Sequence, residues 1–300
     1  MKRNLQLTDG GLETTLIYKE NIPLRHFAAF ELLLNPEHMN VLRNYYKKYI
    51  VLAKEKGLPF MLETPTWRAN HDWGFRLGYK SQELAAINRK SVNFLRHLNE
   101  SLGSDKFNTI SGCVGPRFDA YRPNLKMTAL EAEAYHDEQI KAFALADADQ
   151  ISAMTFTNSN EALGVVRAST KYSMNIVVSF TVETNGLLPS GESMELAVKR
   201  IDEATNAYPS YYMLNCAHPT HFGDIFQSSI AHRIGGLRAN ASSMSHDDLD
   251  NCGAIQEGDH QELASHYAQL LHNNPNLNLI GGCCGTGVKH LNAICNLIGV

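Results

Sequence analysis

Near the C-terminal end of the chain, Gly281-Gly282-Cys283-Cys284-Gly285-Thr286-Gly287 sets two adjacent thiols in a glycine-rich stretch. Glycines let the backbone turn tightly and approach a ligand closely. A helix is expected to begin near Thr286, and the positive end of its dipole favours thiolates beside it. The Asn215-Cys216 pair offers a third thiol from a distant part of the chain. Three thiolates around one ion with an open fourth position is the pattern of a catalytic zinc site, and soft sulfur ligands select for such a metal. Adjacent cysteines have other uses. They form vicinal disulfides, they fill cores as small residues, and a dithiol redox pair would hold no metal and oxidise reversibly. His218 and His221 follow Cys216 closely, but a three-sulfur site does not need them, and His-x-x-His after a strand reads as a cap or a substrate contact. Cys113, Cys252 and Cys295 read as spectators; Cys295 stands at helical spacing with Leu291 and Ile298.

The elements around these residues alternate. Strand-like runs are expected at Leu5–Asp9, Leu58–Thr64, Thr109–Val114, Gln150–Thr155, Asn175–Glu183, Tyr211–Asn215, Ile234–Ala239 and Leu277–Ile280. Between them lie helical patterns. Asn35-Pro36 is an N-cap with proline at the first helical position, followed by Val41, Tyr45, Tyr49 and Leu52 up to Gly57. Ser81 to about Leu102 is helical, as is the stretch from the Thr128-x-x-Glu131 capping box to about Ala148. Asn158–Lys171, a segment carrying Met194, Ala197, Val198 and Ile201, a weak helix at Phe222–Ile230, His260–Leu271 and Val288–Ile298 complete the series. Strands alternating with helices of about 10–15 residues pair in parallel, and eight such units imply closure. The expected fold is α/β: a single domain over residues 1–300, a (β/α)8 barrel of the TIM type, with an open doubly wound sheet as the alternative.

Such a barrel builds its site at the C-terminal ends of its strands. Asp9, Glu63, Cys113, Glu183, Cys216, Asn240 and Cys283-Cys284 all fall at expected strand ends. The segment from Gly10 to Asn35 is long for a simple connection and reads as a lid.

Composition narrows the function classes. Lys+Arg 27 against Asp+Glu 31 gives a net charge of −4, without the basic surplus of a nucleic-acid binder or the polybasic run of a membrane-surface protein. No apolar h-region follows Lys2-Arg3, and no apolar run reaches the ~18–20 residues of a membrane span. A cytoplasmic protein is expected, its six cysteines serving as thiols or metal ligands rather than disulfides.

The string from Gly281 to Thr286, the Asn215-Cys216 pair and Asp9-Gly10-Gly11 resemble the homocysteine S-methyltransferase family, and the resemblance runs from Asp9 to the final helix. It implies a zinc-containing (β/α)8 barrel with Cys216, Cys283 and Cys284 as ligands, and Asp9 and Gly10 against the amino-acid part of homocysteine. Asn215 and Asn240 are grouped with them as expected substrate contacts. The family typically has a glutamate at the end of strand four that helps hold the homocysteine ammonium group. Here the stretch reads Ala153-Met154-Thr155-Phe156-Thr157, with Thr155 near that position. Glu183 or Glu63 is expected to substitute, and each also has a plain reading as a rim ion-pair residue. Because the sequence carries no second domain for cobalamin or folate, the expected donor is small and activated: S-methylmethionine, S-adenosylmethionine or betaine. Trp67 and Trp73 offer aromatic faces to such a cation, or simply pack their loop. The partners are small molecules, homo-oligomerisation being left open. A non-catalytic zinc-binding barrel and a methyltransferase for another thiol or a selenol are the alternatives.

Overall fold

Eight short strands, almost wholly buried, follow one another along the chain: β1 (Gln6–Thr8), β2 (Phe60–Glu63), β3 (Thr109–Val114), β4 (Gln150–Phe156), β5 (Ile176–Phe180), β6 (Tyr211–Asn215), β7 (Ile234–Ala239) and β8 (Leu279–Gly282). Each pairs in parallel with the next, and β8 closes on β1 through Gln6↔Leu279 and Leu7↔Ile280. The computed structural model, which describes residues 4–103, 108–121 and 127–300, is thus a closed (β/α)8 barrel, as the alternation of patterns implies. Lys2 and Arg3 lie outside the described residues. No helix among the described residues is long and apolar enough to cross a membrane.

The helices are α1 (Leu12–Tyr18), α2 (Pro36–Glu55), α3 (His71–Arg76), α4 (Ser81–Ser101), α5 (Ala129–Ala144), α6 (Ser159–Lys171), α7 (Met194–Thr205), α8 (His246–Asn251), α9 (His260–Asn273) and α10 (Val288–Ile298). Their starts follow from local chemistry. The Asn35 side chain accepts from the amides of Glu37 and His38, with Pro36 at the first turn. Thr128 and Glu131 form a reciprocal capping box on α5. That helix stops short of the expected Ala148, because Asp147 turns left-handed at φ 54°. The expected helix at Phe222–Ile230 does not form. Short 3-10 turns at Pro219–His221, Ile225–Gln227 and Ala231–Arg233 take its place, interrupted by Gly223 at φ 49°. β5 ends at Phe180 rather than Glu183, where the chain folds into a turn closed by Glu183 N–H to Leu187 C=O, 2.8 Å.

The main apolar core lies between the barrel and its helices. A second, small cluster of Met61, Val177, Met213 and Leu279 packs together, one residue from each of four strands. Because side chains alternate along a strand, the positions two residues beyond Met61 and Met213 face the same way. They are Glu63 and Asn215, where the lining turns from apolar to polar.

Candidate metal and substrate site

Cys216 follows the last residue of β6 and sits at φ 57°, a left-handed conformation that non-glycine residues adopt rarely. Its backbone is pinned on both sides. The amide donates to the Arg238 carbonyl at 3.1 Å, and the carbonyl accepts from Asn240 Nδ2 at 3.0 Å, with His246 Nε2 at 2.7 Å. The Cys283-Cys284 loop is anchored to the end of β7: Cys283 N–H donates to Ala239 C=O at 2.8 Å, and Cys284 C=O accepts from the Ala241 amide at 3.0 Å. Gly285 then reverses the chain at φ 78°.

These constraints bring the Sγ atoms of Cys216, Cys283 and Cys284 within 4.8 Å of one another, with Cys216 and Cys284 at 3.7 Å. The donor set fits zinc: tetrahedral Zn–S bonds of about 2.3 Å put neighbouring sulfurs about 3.8 Å apart. The thiols titrate together. Hydrogen bonds from Cys216 and Cys284 hold Cys283 well below the ordinary thiol range. Its hydrogen bond pushes Cys216 well up, and those of Cys216 and Cys283 do the same to Cys284. Tyr121 closes the cluster, its hydroxyl 3.2 Å from Cys216 Sγ and its ring stacked on His246 at 4.0 Å.

All three cysteines line one cavity of about 290 Å³, together with Asp9, Gly10, Glu63, Thr155, Asn215 and Asn240. Asp9 and Glu63 do not face it as free carboxylates. Arg238, 6% exposed on β7, donates to both of them and to the carbonyls of Gly282 (3.1 Å) and Gly10 (3.2 Å). Tyr45 adds a hydrogen bond to Asp9 Oδ2 at 3.1 Å. Burial pushes both carboxyls up and Arg238 offsets part of the effect, while the two carboxylates outweigh the burial of Arg238 and hold its guanidinium charged. Arg238 was not expected at the site, although a lone arginine inside the otherwise apolar run Ile234–Ala239 is a readable signal.

Asn215 acts within the barrel wall. Its Oδ1 accepts from Thr155 N–H (3.0 Å) and Ser179 Oγ (2.6 Å), and its Nδ2 donates to Thr155 Oγ1 (2.7 Å). Thr155 needs that clamp: it is β-branched, yet sits at φ 64° where the β4–β5 register shifts. Glu183 does not line the cavity; it lies 3.2 Å from His246 Nδ1 and is one-third exposed. Of the two tryptophans, Trp67 lines the cavity and donates to Met154 C=O at 3.2 Å. Trp73 is buried, with the guanidinium groups of Arg68 and Arg76 over its ring at 3.7 Å and 4.5 Å, so its cations come from the chain itself. His218 and His221 stand apart from the sulfur cluster, His218 near His266 and His221 on the Ser243 carbonyl. Cys113 and Cys252 line the cavity outside the cluster, and Cys295 is in the core.

Glu13, on the first turn of α1, also lines the cavity, and burial pushes its carboxyl up to about 7. A folded-state value above the unfolded one means that the folded protein binds the extra proton. The stability this group contributes is therefore full below its unfolded value and is lost as pH rises toward about 7. Metal-free Glu13→Gln protein is expected to lose less stability than wild type between about pH 5 and about pH 8 in urea unfolding. Parallel curves for the two proteins would sink this prediction.

The homocysteine S-methyltransferase family model matches residues 6–298. Among solved structures, the chain is similar to the oxidised form of the homocysteine methyltransferase MmuM from Escherichia coli, with a TM-score of 0.78 at 20% identity over 99% of this chain and 97% of that one. The metallated form of the same protein gives 0.76 at the same identity and coverage, and its apo form gives 0.68 over 98% and 95%. No curated protein matches the chain. At this identity the structural likeness speaks for the fold alone.

Proposed function

The chain belongs to the homocysteine S-methyltransferase family, and from that premise we propose that it transfers a methyl group from a small activated donor to the thiol of homocysteine, giving methionine, at a zinc ion held by Cys216, Cys283 and Cys284. The observation that carries this reading is the convergence of those sulfurs in the lining of one cavity. A free thiol, with a pKa of about 8.5, is mostly protonated at neutral pH. A zinc ion held by three thiolates supplies the missing chemistry, because a coordinating thiol is deprotonated outright.

The chain's own part is positioning. Arg238 ties β1, β2 and β7 together through Asp9 and Glu63, and Asn215 ties β4, β5 and β6, so the walls around the sulfur cluster are rigid. Tyr121, Leu249 and Ile255 add apolar surface to the cavity lining. Trp67, Tyr18, Phe27 and Tyr121 supply an aromatic lining suited to a cationic donor such as S-methylmethionine, S-adenosylmethionine or betaine. These walls align the substrate sulfur with the donor's methyl carbon. An S–CH₃ bond forms from the sulfur lone pair as the donor's bond to that methyl breaks, and the donor leaves with one positive charge fewer. No cobalamin is required in this reading.

Zinc-loaded protein is expected to form labelled methionine from homocysteine and at least one of those donors in isotopically labelled form, detected by mass spectrometry. A chelator should abolish the product and zinc restore it. Absence of labelled methionine with all three donors rejects homocysteine as acceptor. A second reading, transfer to another thiol or a selenol, is favoured by Thr155 at the end of β4 and by the engagement of Asp9 and Glu63 with Arg238. It predicts turnover with such an acceptor where homocysteine fails. Stoichiometric zinc without any turnover is the result expected of a non-catalytic zinc-binding barrel.

A further inference from the structure

Two cations of the chain itself line the cavity, and the buried Nε of Arg68 has no hydrogen-bond partner among the described residues. Arg238 is shared by Asp9 and Glu63, and Arg68 lies over the Trp67 and Trp73 rings with Asp119 at 3.8 Å. Glu13 also lines the cavity and makes no ion pair within 4.0 Å among the described residues, although it interacts at longer range with Arg238 and Arg68. Its place beside the sulfur cluster is set by the residues on either side of it. A Cβ on Gly11 would stand 2.6 Å from the Cys283 carbonyl oxygen, so the two backbones are in contact there. Thr14 Oγ1 accepts from the Gly285 amide at 3.3 Å. The first turn of α1 is thereby docked onto the Cys283-Cys284 loop. Two buried acceptors of the lining have no partner: Oδ1 of Asn240, which is 1% exposed, and Oε1 of Glu63. Buried acceptors without donors are rare in proteins and call for a ligand that donates.

A sulfonium or a quaternary ammonium brings positive charge but no N–H. A primary ammonium brings charge and three donors. We propose that Glu13 receives the ammonium group of an amino-acid thiol whose sulfur sits at the cysteine cluster. This rests on the aminothiol acceptor proposed above and names the residue of this chain that selects for it.

The test is calorimetric binding to zinc-loaded wild type, Glu13→Gln and Glu13→Asp of two thiols: homocysteine and 4-mercaptobutanoate, which keeps the thiol and carboxylate but lacks the amine. Wild type is expected to prefer homocysteine by about tenfold or more, the range of a charge-assisted hydrogen bond. Glu13→Gln should lose most of that preference while binding 4-mercaptobutanoate as wild type does, and Glu13→Asp should recover part of it. A merely structural role would weaken both thiols alike. Full retention of the preference in Glu13→Gln overturns the assignment and leaves the acceptor reading intact. A wild-type protein that binds neither thiol, or both equally, rejects the aminothiol acceptor and this assignment with it.

Discussion

Cys216→Ser, Cys283→Ser and Cys284→Ser are each expected to lower zinc affinity by more than about a hundredfold, since even the outer-shell partners of a metal site are worth about 10–100-fold. Cys295→Ser should leave metal content unchanged, because Cys295 packs in the core and away from the cluster. Cys113→Ser should do so as well, although it lines the same cavity. The contrast matters because geometry alone singles out three of the six cysteines. Cys216 and Cys284 already stand at 3.7 Å, near the separation that a shared tetrahedral ion imposes, so binding should require little rearrangement. Elemental analysis of purified protein measures the ratio of zinc to chain. Full occupancy in a Cys283→Ser, Cys284→Ser double variant would falsify the ligand assignment. Reversible oxidation of reduced wild type with no bound metal would favour the dithiol redox reading instead.

Arg238→Met should destabilise the fold by about 3–5 kcal/mol, the usual loss when one partner of a buried charge cluster is removed and the others stay behind. Asp9 and Glu63 are 3% and 6% exposed, so neither can turn to water, and each would face the other's charge in a low-dielectric wall. Burial already pushes both carboxyls up, and without the guanidinium they should rise further. The sign of the pH dependence follows. With folded-state values above the unfolded ones, the variant is most stable in acid and loses stability as pH rises, so its deficit against wild type should narrow as the pH is lowered. Adding Asp9→Asn and Glu63→Gln should recover much of the loss by removing the orphaned charges. Urea unfolding at two pH values tests this. A loss below about 1 kcal/mol at neutral pH, or no recovery in the triple variant, would show that the cluster does not hold β1, β2 and β7 together.

How far these features can be read from the sequence depends on how local their causes are. The alternation of short apolar runs with amphipathic stretches is a local pattern, and it carried the barrel: β3, β6, β7 and α10 lie where period and composition place them. The capping residues of α2 and α5 are equally local. So is the presence of Cys216 and Cys283-Cys284 just past the ends of β6 and β8, from which three converging thiols follow once the barrel closes. The helix expected after β6 failed because Gly223 and the neighbouring short turns compete with a weak apolar pattern.

Side-chain partnership was decided by tertiary structure. Glu63 and Glu183 looked interchangeable as strand-end carboxylates. Arg238, 175 residues away, engages one, while the early end of β5 carries the other out of the cavity to His246. Asn215, read as a substrate contact, lines the cavity and also holds Thr155 and Ser179 through its Oδ1 and one Nδ2 hydrogen bond. Glu13 lies in the segment read only as a lid, and the docking of α1 on the cysteine loop places it on the cavity wall. Hydrophobic periodicity reports which face of an element is buried, because burial depends on the element's own spacing. Which charge meets which depends on bringing together residues far apart in the chain, and closure of the barrel alone sets those distances.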